Sequence, residues 1–311
     1  MKIVIPGGSG QIGGMLARAF AEHEVVVLSR SGRGPAPSRS VKWDGESLGE
    51  WAAELEDADV VINLAGRTVD CRYTDENLRQ MMDSRVRSTE VVGRAIAQCA
   101  QGPKVWLQMS TATIYAHRFD APNDEASGII GGWEPGAPVY WNHSIAIAQA
   151  WEDALEQAEV PGVRKVALRT AMVMSPDDDG VFSVLERMTK LGLGGAIAGG
   201  EQRVSWIHEQ DLVAAVRFLI QEEMHGAVNL CAPEPLPQGE FMAALRSALG
   251  RRLGLPATAW MAEIGAWVLR TDTELLLKSR YVVPGRLLER GFRFEYPGWA
   301  RAAEQLVAAR R

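Results

Sequence analysis

The sequence predicts an α/β protein, a doubly wound parallel sheet with a smaller C-terminal domain interleaved with it. Three observations carry this. Strand-like and helix-like patterns alternate through the first half of the chain, as crossover units do. A glycine-rich turn joins the first strand pattern to the first helix pattern, and a late strand pattern, Val228-Asn229-Leu230, follows a long irregular stretch.

The candidate central strands are Ile3-Val4-Ile5, Val25-Val26-Val27-Leu28, Val60-Val61-Ile62, Val105-Trp106-Leu107 and Val166-Ala167-Leu168. Between the first two, Ile12, Leu16, Ala19 and Phe20 recur at helical spacing and mark one buried face. The stretches from Glu76 to Ala100 and from Ile145 to Glu159 read as long crossover helices. From about residue 172 the pattern turns irregular, with Gly-rich and Pro-rich passages at Leu191–Gly200 and Pro233–Pro237. The expected division is therefore 1–171 and about 204–231 for the dinucleotide-binding part, with about 172–203 and 232–311 forming a smaller substrate domain. A chain of 311 residues is long enough for both cores.

Composition narrows the partners. The 33 Lys and Arg against 39 Asp and Glu give a net charge of −6, and no basic stripe is interleaved with aromatics, so nucleic acid is not an expected partner. The opening residues run into glycines too soon for a signal peptide, and no apolar run reaches spanning length. A cytoplasmic protein without membrane association is expected. Cys71, Cys99 and Cys231 are odd in number and far apart, as reduced thiols would be, and the five histidines lack ligand spacing, so no structural metal is expected.

Gly7-Gly8-Ser9-Gly10-Gln11-Ile12-Gly13 follows a strand directly and opens an amphipathic helix. Glycines at 7, 10 and 13 permit a tight turn, close approach of a pyrophosphate and close helix–strand packing, while the helix N-terminus offers free N–H groups to the anion. This is the context of a Rossmann-type dinucleotide site, with Gly7, Ser9, Gly10, Gln11 and Ile12 around the phosphates. About twenty residues further on, where an acidic residue would bind the ribose of NAD, the chain has Ser29 and Arg30, followed by Arg33. A hydroxyl and a guanidinium suit a 2′-phosphate, so the expected cofactor is NADP. Arg30 and Arg33 as plain solvated residues is the competing reading.

Further motifs extend the pattern. The opening loop, Asn63-Leu64-Ala65-Gly66 and Ser110-Thr111-Ala112-Thr113-Ile114-Tyr115 resemble the extended short-chain dehydrogenase/reductases. Ser84-Arg85-Val86, Leu191-Gly192-Leu193-Gly194-Gly195, Gln202, Trp206-Ile207-His208 with Asp211-Leu212, and Gly291-Phe292-Arg293-Phe294 are similar to an atypical subgroup of NAD(P)-dependent epimerase/dehydratase-like "epimerase family proteins", whose C-terminal domain has no assigned role. The resemblance implies that Asn63, Leu64, Ala65, Gly66 and Arg85 belong with the cofactor, and that Thr111 stands where the family carries a catalytic Ser or Thr. Its hydroxyl would donate to a substrate oxygen, or cap the strand end.

One departure matters. Typical members pair a tyrosine with a lysine four residues later, and here Tyr140 is followed at that distance by Ser144, with no lysine between Lys104 and Lys165. A phenol without a neighbouring cation donates a hydrogen bond but is a poor base. His143 is the candidate replacement, since imidazole titrates near neutrality, and it is equally a cap or packing residue; Tyr115 and His117 are expected near the same cleft. Arg169 is expected to pair structurally, Asp211 to serve as a helix-start anion, and Asp177-Asp178-Asp179 to be a solvated turn. Trp133, Trp141 and Trp206 would line an apolar cleft or pack in cores.

The expected activity is NADP(H)-dependent hydride transfer on a small or medium organic substrate, with Thr111, Tyr140 and His143 as the catalytic set. A nucleotide-sugar-type epimerase or dehydratase and a non-catalytic NADP-binding sensor are the alternatives. The two long crossover helices are the candidate surface for a homodimer.

Overall fold

Strand β1 (Lys2–Pro6) is apolar and buried from Ile3 onward because a central parallel strand is covered on both faces. In the computed structural model, which describes residues 1–135, 137–258, 260–261 and 272–310, helix α1 (Gln11–Ala19) carries the chain to β2 (Glu24–Ser29) and β3 (Arg39–Lys42), after which it crosses back to β4 (Val60–Asn63). Helix α2 (Asp75–Gln98), capped by the Thr74 hydroxyl on the Asn77 N–H, leads to β5 (Val105–Thr111), and α3 (Asn142–Glu156) leads to β6 (Arg164–Thr170).

Seven strands form one parallel sheet in the order β10-β6-β5-β4-β1-β2-β3, where β10 is Gly226–Leu230. The expected late strand thus joins β6 at the sheet edge, residue 228 beside 168. Strand order reverses between β1 and β4, which opens a crevice at their carboxyl ends. Alternate residues of each strand feed two cores. Ile3, Ile5, Val25, Val27, Ile62 and Leu107 pack under α1 and the helix that precedes β10. Val4, Val26, Leu28, Val61, Trp106 and Ala167 pack under α2 and α3.

After β6 the chain leaves the sheet through β7 (Met172–Met174), α4 (Val181–Lys190), β8 (Arg203–Val204) and β9 (Trp206–His208), returns through α5 (Glu209–Gln221) and β10, and leaves again through β11 (Leu236–Pro237) and α6 (Gln238–Ala248). Beyond residue 271 come α7 (Glu274–Leu277), α8 (Gly285–Glu289) and α9 (Trp299–Ala309). A separate core, away from the sheet, gathers Phe182, Trp206, Phe241, Leu245, Trp299 and Leu306. Its centre is Trp299, stacked on Phe241 at 4.0 Å and edge-on to Trp206 at 5.0 Å. Trp206 therefore packs this core rather than a cleft, Trp141 is buried against His117, and Trp133 is 93% exposed.

The C-terminal residues do not all belong to that separate core. Leu287 and Phe292 pack with the sheet residues beneath α5, although the sequence division assigns them to the smaller domain. Asp211, in the first turn of α5, fixes this return: its carboxylate accepts the N–H groups of Glu295 at 2.7 Å and Tyr296 at 3.0 Å. It serves a distant segment, whereas the α5 start is capped by His208, whose Nδ1 accepts from the Gln210 N–H. Arg169 makes the expected structural pair, bonding both carboxylate oxygens of Glu152 and the Tyr115 hydroxyl.

Strand β3 is absent from the sequence reading because Arg39-Ser40-Val41-Lys42 is a short, half-exposed edge without an apolar run. The three cysteines are free. No described helix is long and apolar enough to cross a membrane. Replacing Asp211 with Ala strands two backbone N–H groups and is expected to lower stability by about 2–3 kcal/mol, read as a shift in the urea midpoint at unchanged slope.

Candidate functional site

At the carboxyl end of β1 the chain turns at Gly7, whose φ of +74° favours glycine. A Cβ there would lie 2.5 Å from the Ala65 Cα, so the loops after β1 and β4 touch backbone to backbone. Gly13 is equally constrained: a Cβ would fall 2.0 Å from the Gly8 carbonyl oxygen. Gly10 differs, because nothing lies within 4 Å of where its Cβ would be. It is also the N-cap of α1 without any side-chain cap, so the first N–H groups of this helix are left to an incoming acceptor. Beside them the Gln11 Nε2 is buried without a hydrogen-bond partner, against Gly180. Ser9 is exposed and Ile12 packs partly into the sheet core.

The end of β2 divides the roles expected of its residues. Ser29 is buried and its hydroxyl donates to the Arg33 carbonyl at 2.6 Å, shaping the turn. Arg30 is exposed and lines a cleft of about 630 Å³ with Lys42, Trp43, Asp44, Leu48 and Trp51. The Asp44 carboxylate is held down to about 2 by the Ser47 hydroxyl and by the N–H groups of Ser47 and Glu46.

Past β4, Asn63 is buried and satisfied, donating to the Gln108 Oε1 and accepting from the Ala65 N–H. Leu64 donates its N–H to the Pro6 carbonyl, and Ala65 is buried. Gly66 lies over Arg85: a Cβ there would stand 3.2 Å from the guanidinium carbon. Arg85 is 9% exposed and sits 4.9 Å over the Trp151 ring. Of its five N–H donors one is used within the described residues, from Nη1 to the Met81 carbonyl at 3.0 Å. Burial pulls its pKa down to about 10. Burying a cation with most of its donors unused among the described residues is costly.

Thr111 ends β5 beside Thr170 of β6, and its hydroxyl accepts the Thr113 N–H at 3.1 Å. The hydroxyl proton is left to donate elsewhere. Tyr140 is 42% exposed, with its phenol 2.8 Å from the Thr273 hydroxyl. His143 is exposed and lines a groove of about 320 Å³ between α2 and α3 with Asp75, Leu78, Met82 and Ile147. Tyr115 is buried on Asn229 and Arg169, which raises its pKa through desolvation. His117 accepts the Ser279 N–H on Nδ1, and burial lowers its pKa.

Four residues invisible to sequence reasoning, Thr273, Glu274, Lys278 and Arg280, contact Tyr140, Ser144 and Thr113. Ser144 donates to the Glu274 carboxylate, Lys278 reaches the other oxygen of that carboxylate at 3.4 Å and the Thr113 carbonyl at 2.9 Å, and Arg280 donates to the Thr113 hydroxyl at 3.0 Å. The side chains of Glu274 and Lys278 are fully buried. Only the missing lysine at position 144 hinted at them, since their partners lie more than a hundred residues away in the chain.

Comparison with known proteins matches this architecture. A model of the NAD dependent epimerase/dehydratase family covers residues 3–231, and a domain of unknown function (DUF1731) covers residues 257–306. The human epimerase family protein SDR39U1 is 29% identical over 99% of this chain and all of its own. An epimerase family protein of Mycobacterium leprae is 32% identical over 94% of this chain and 92% of its own. The crystal structure of the human protein with NADPH superposes with a TM-score of 0.84 at 28% identity, covering 99% of both chains. A UDP-glucose 4-epimerase from Thermotoga maritima shares the fold at a TM-score of 0.77 and 15% identity, over 99% of this chain and 98% of that one. With the uncapped helix, the glycine loop and the strand-order reversal in place, the chain belongs to the NAD dependent epimerase/dehydratase family.

Proposed function

We propose that the chain binds NADPH across the β1–β4 crevice and reduces a small or medium organic substrate. The observation that carries the reading is the uncapped start of α1 at Gly10, where a phosphate has room and free N–H donors. The orphaned Gln11 amide supports it, as does the NADPH in the structure of human SDR39U1. Arg30 at the 630 Å³ cleft supplies the charge that a 2′-phosphate needs. Gly7, Ser9, Gly10, Gln11 and Ile12 would hold the pyrophosphate, Asn63 to Gly66 would floor the trough, and Arg85 would offer its free donors to the cofactor. Ser29 shapes the Arg30 turn.

When bound, the dinucleotide supplies hydride transfer to a carbonyl or related carbon. Thr111 would orient the substrate oxygen with its free hydroxyl proton, and Tyr140 would supply the proton. Ser144 in place of lysine favours reduction over epimerisation, because the oxidative half of an epimerisation needs a base to take the substrate hydroxyl proton as hydride leaves the carbon, and a phenol without that ammonium is a poor base. His143, exposed on the α2–α3 groove, has no place in this scheme. The three free thiols fit a cytoplasmic setting.

Titration by nicotinamide fluorescence should give NADPH affinity well above that for NADH. Arg30→Asp should remove most of this preference, weakening NADPH by about tenfold or more through loss of a charge-assisted contact while NADH binding stays within about twofold. Equal weakening of both cofactors would refute the 2′-phosphate assignment. Arg85→Met, which keeps the side-chain stem, should weaken NADPH by about tenfold; an unchanged dissociation constant would remove Arg85 from the cofactor site.

A further inference from the structure

Ser279 ties the C-terminal segment to the turn after β5. Its N–H donates to the His117 Nδ1 at 2.8 Å, its hydroxyl donates to the Arg118 carbonyl at 2.8 Å, and the Arg203 N–H donates to that hydroxyl at 3.0 Å. A backbone N–H can only donate, so His117 presents a bare Nδ1 and carries its proton on Nε2. Edge contacts to Phe119 at 4.9 Å and Trp141 at 5.2 Å hold the ring in this setting.

The residues just before Ser279 reach the Tyr140 side of the site: Thr273 meets the Tyr140 phenol at 2.8 Å, and Glu274 accepts from Ser144 and Lys278. Just after Ser279 the anchors are backbone pairs, from the Arg280 N–H to the Arg203 carbonyl, the Asn123 N–H to the Tyr281 carbonyl, and the Val283 N–H to the Asn123 carbonyl. Among the described residues, His117 is the one titratable side chain outside 272–283 that holds a backbone N–H of this segment. We propose that His117 is a proton-operated latch on the C-terminal segment: a proton on Nδ1 sets donor against donor at Ser279 and frees residues 273–279 from the Tyr140 side, while the backbone pairs from Arg280 onward stay closed. The latch works the same way whatever the segment encloses.

Burial and the charges around the ring set the direction. Burial opposes the imidazolium most; Glu134 favours it, and Lys278 and Arg280, facing the ring from the segment, oppose it. Glu134 stands on the loop before α3, with one carboxylate oxygen on the His117 N–H at 2.6 Å and the other on the Gly132 N–H at 2.7 Å. Burial raises the Glu134 pKa, but these N–H groups outweigh it and hold the carboxylate below its usual range. Arg118, next in the chain, is paired with Asp120. The net result is a His117 pKa below the ordinary imidazole range, so the latch is closed near neutrality and opens on the acid side. The unfolded chain takes up this proton first, so the stability that the latch contributes is whole above about pH 6.5 and is lost as pH falls through the folded pKa. Asp272, raised by burial and bonded to the Glu274 N–H, is the other acid-side group at the segment.

The test is amide exchange by NMR on the full-length chain from about pH 7.5 to about pH 5, each rate corrected for the intrinsic effect of pH. Protection of the amides of residues 276–279 should fall about tenfold across the His117 titration, the worth of one net hydrogen bond, while the Val283 N–H stays protected. The His117 ring, identified by its contacts to Phe119 and Trp141, should titrate with the same midpoint. His117→Asn keeps an acceptor that takes no proton, and should hold protection level over the whole range. If that variant does not fold, the two midpoints in the wild type decide alone. Protection that persists once the ring is protonated, a loss with a different midpoint, or the same loss in His117→Asn would assign the acid response to Asp272 and overturn the latch; loss at Val283 together with the segment would make it global unfolding and overturn it equally.

Discussion

Everything at the carboxyl edge of the sheet depends on two backbones touching. The loops that leave β1 and β4 diverge in direction at the strand-order reversal, yet they start in contact, with a Cβ on Gly7 placed 2.5 Å from Ala65. Gly13 presses on Gly8 in the same way, which brings α1 against the sheet. Together these contacts aim the start of α1 at the crevice and leave Gly10 facing open space. Side chains could not deliver this geometry, because any Cβ at positions 7 or 13 would occupy volume that backbone already fills.

The sheet and the loop were legible in the sequence because they are local. Apolar runs such as Val25–Leu28 and the glycine spacing after Ile5 state their conformation within a few residues. Strand β3 was not legible, being four residues at an exposed edge. The extent of α2, Asp75–Gln98, lies within two residues of the expected stretch, since its apolar positions recur at helical spacing.

The proposed reacting end was much less legible. Tyr140 and Thr111 were visible by resemblance, but the partners that define their surroundings are Thr273, Glu274, Lys278 and Arg280. No spacing rule links residues so far apart, and a Glu and a Lys four apart read as an ordinary exposed helix pair. Burial reverses that meaning: the same two side chains, fully enclosed, become a demand for partners. Ser29 shows how a local bond escapes sequence reading, since its hydroxyl donates to the Arg33 carbonyl four residues on.

The placement of Leu287 and Phe292 among the sheet residues ties the two ends of the chain together in time as well as space. A protein emerging from the ribosome can pair β1 to β6 early, but the face beneath α5 lacks two of its apolar residues until almost the whole chain has been synthesised. Such long sequence separations slow folding and leave apolar surface uncovered in the interval. Native packing of that face waits on residues 287 to 292.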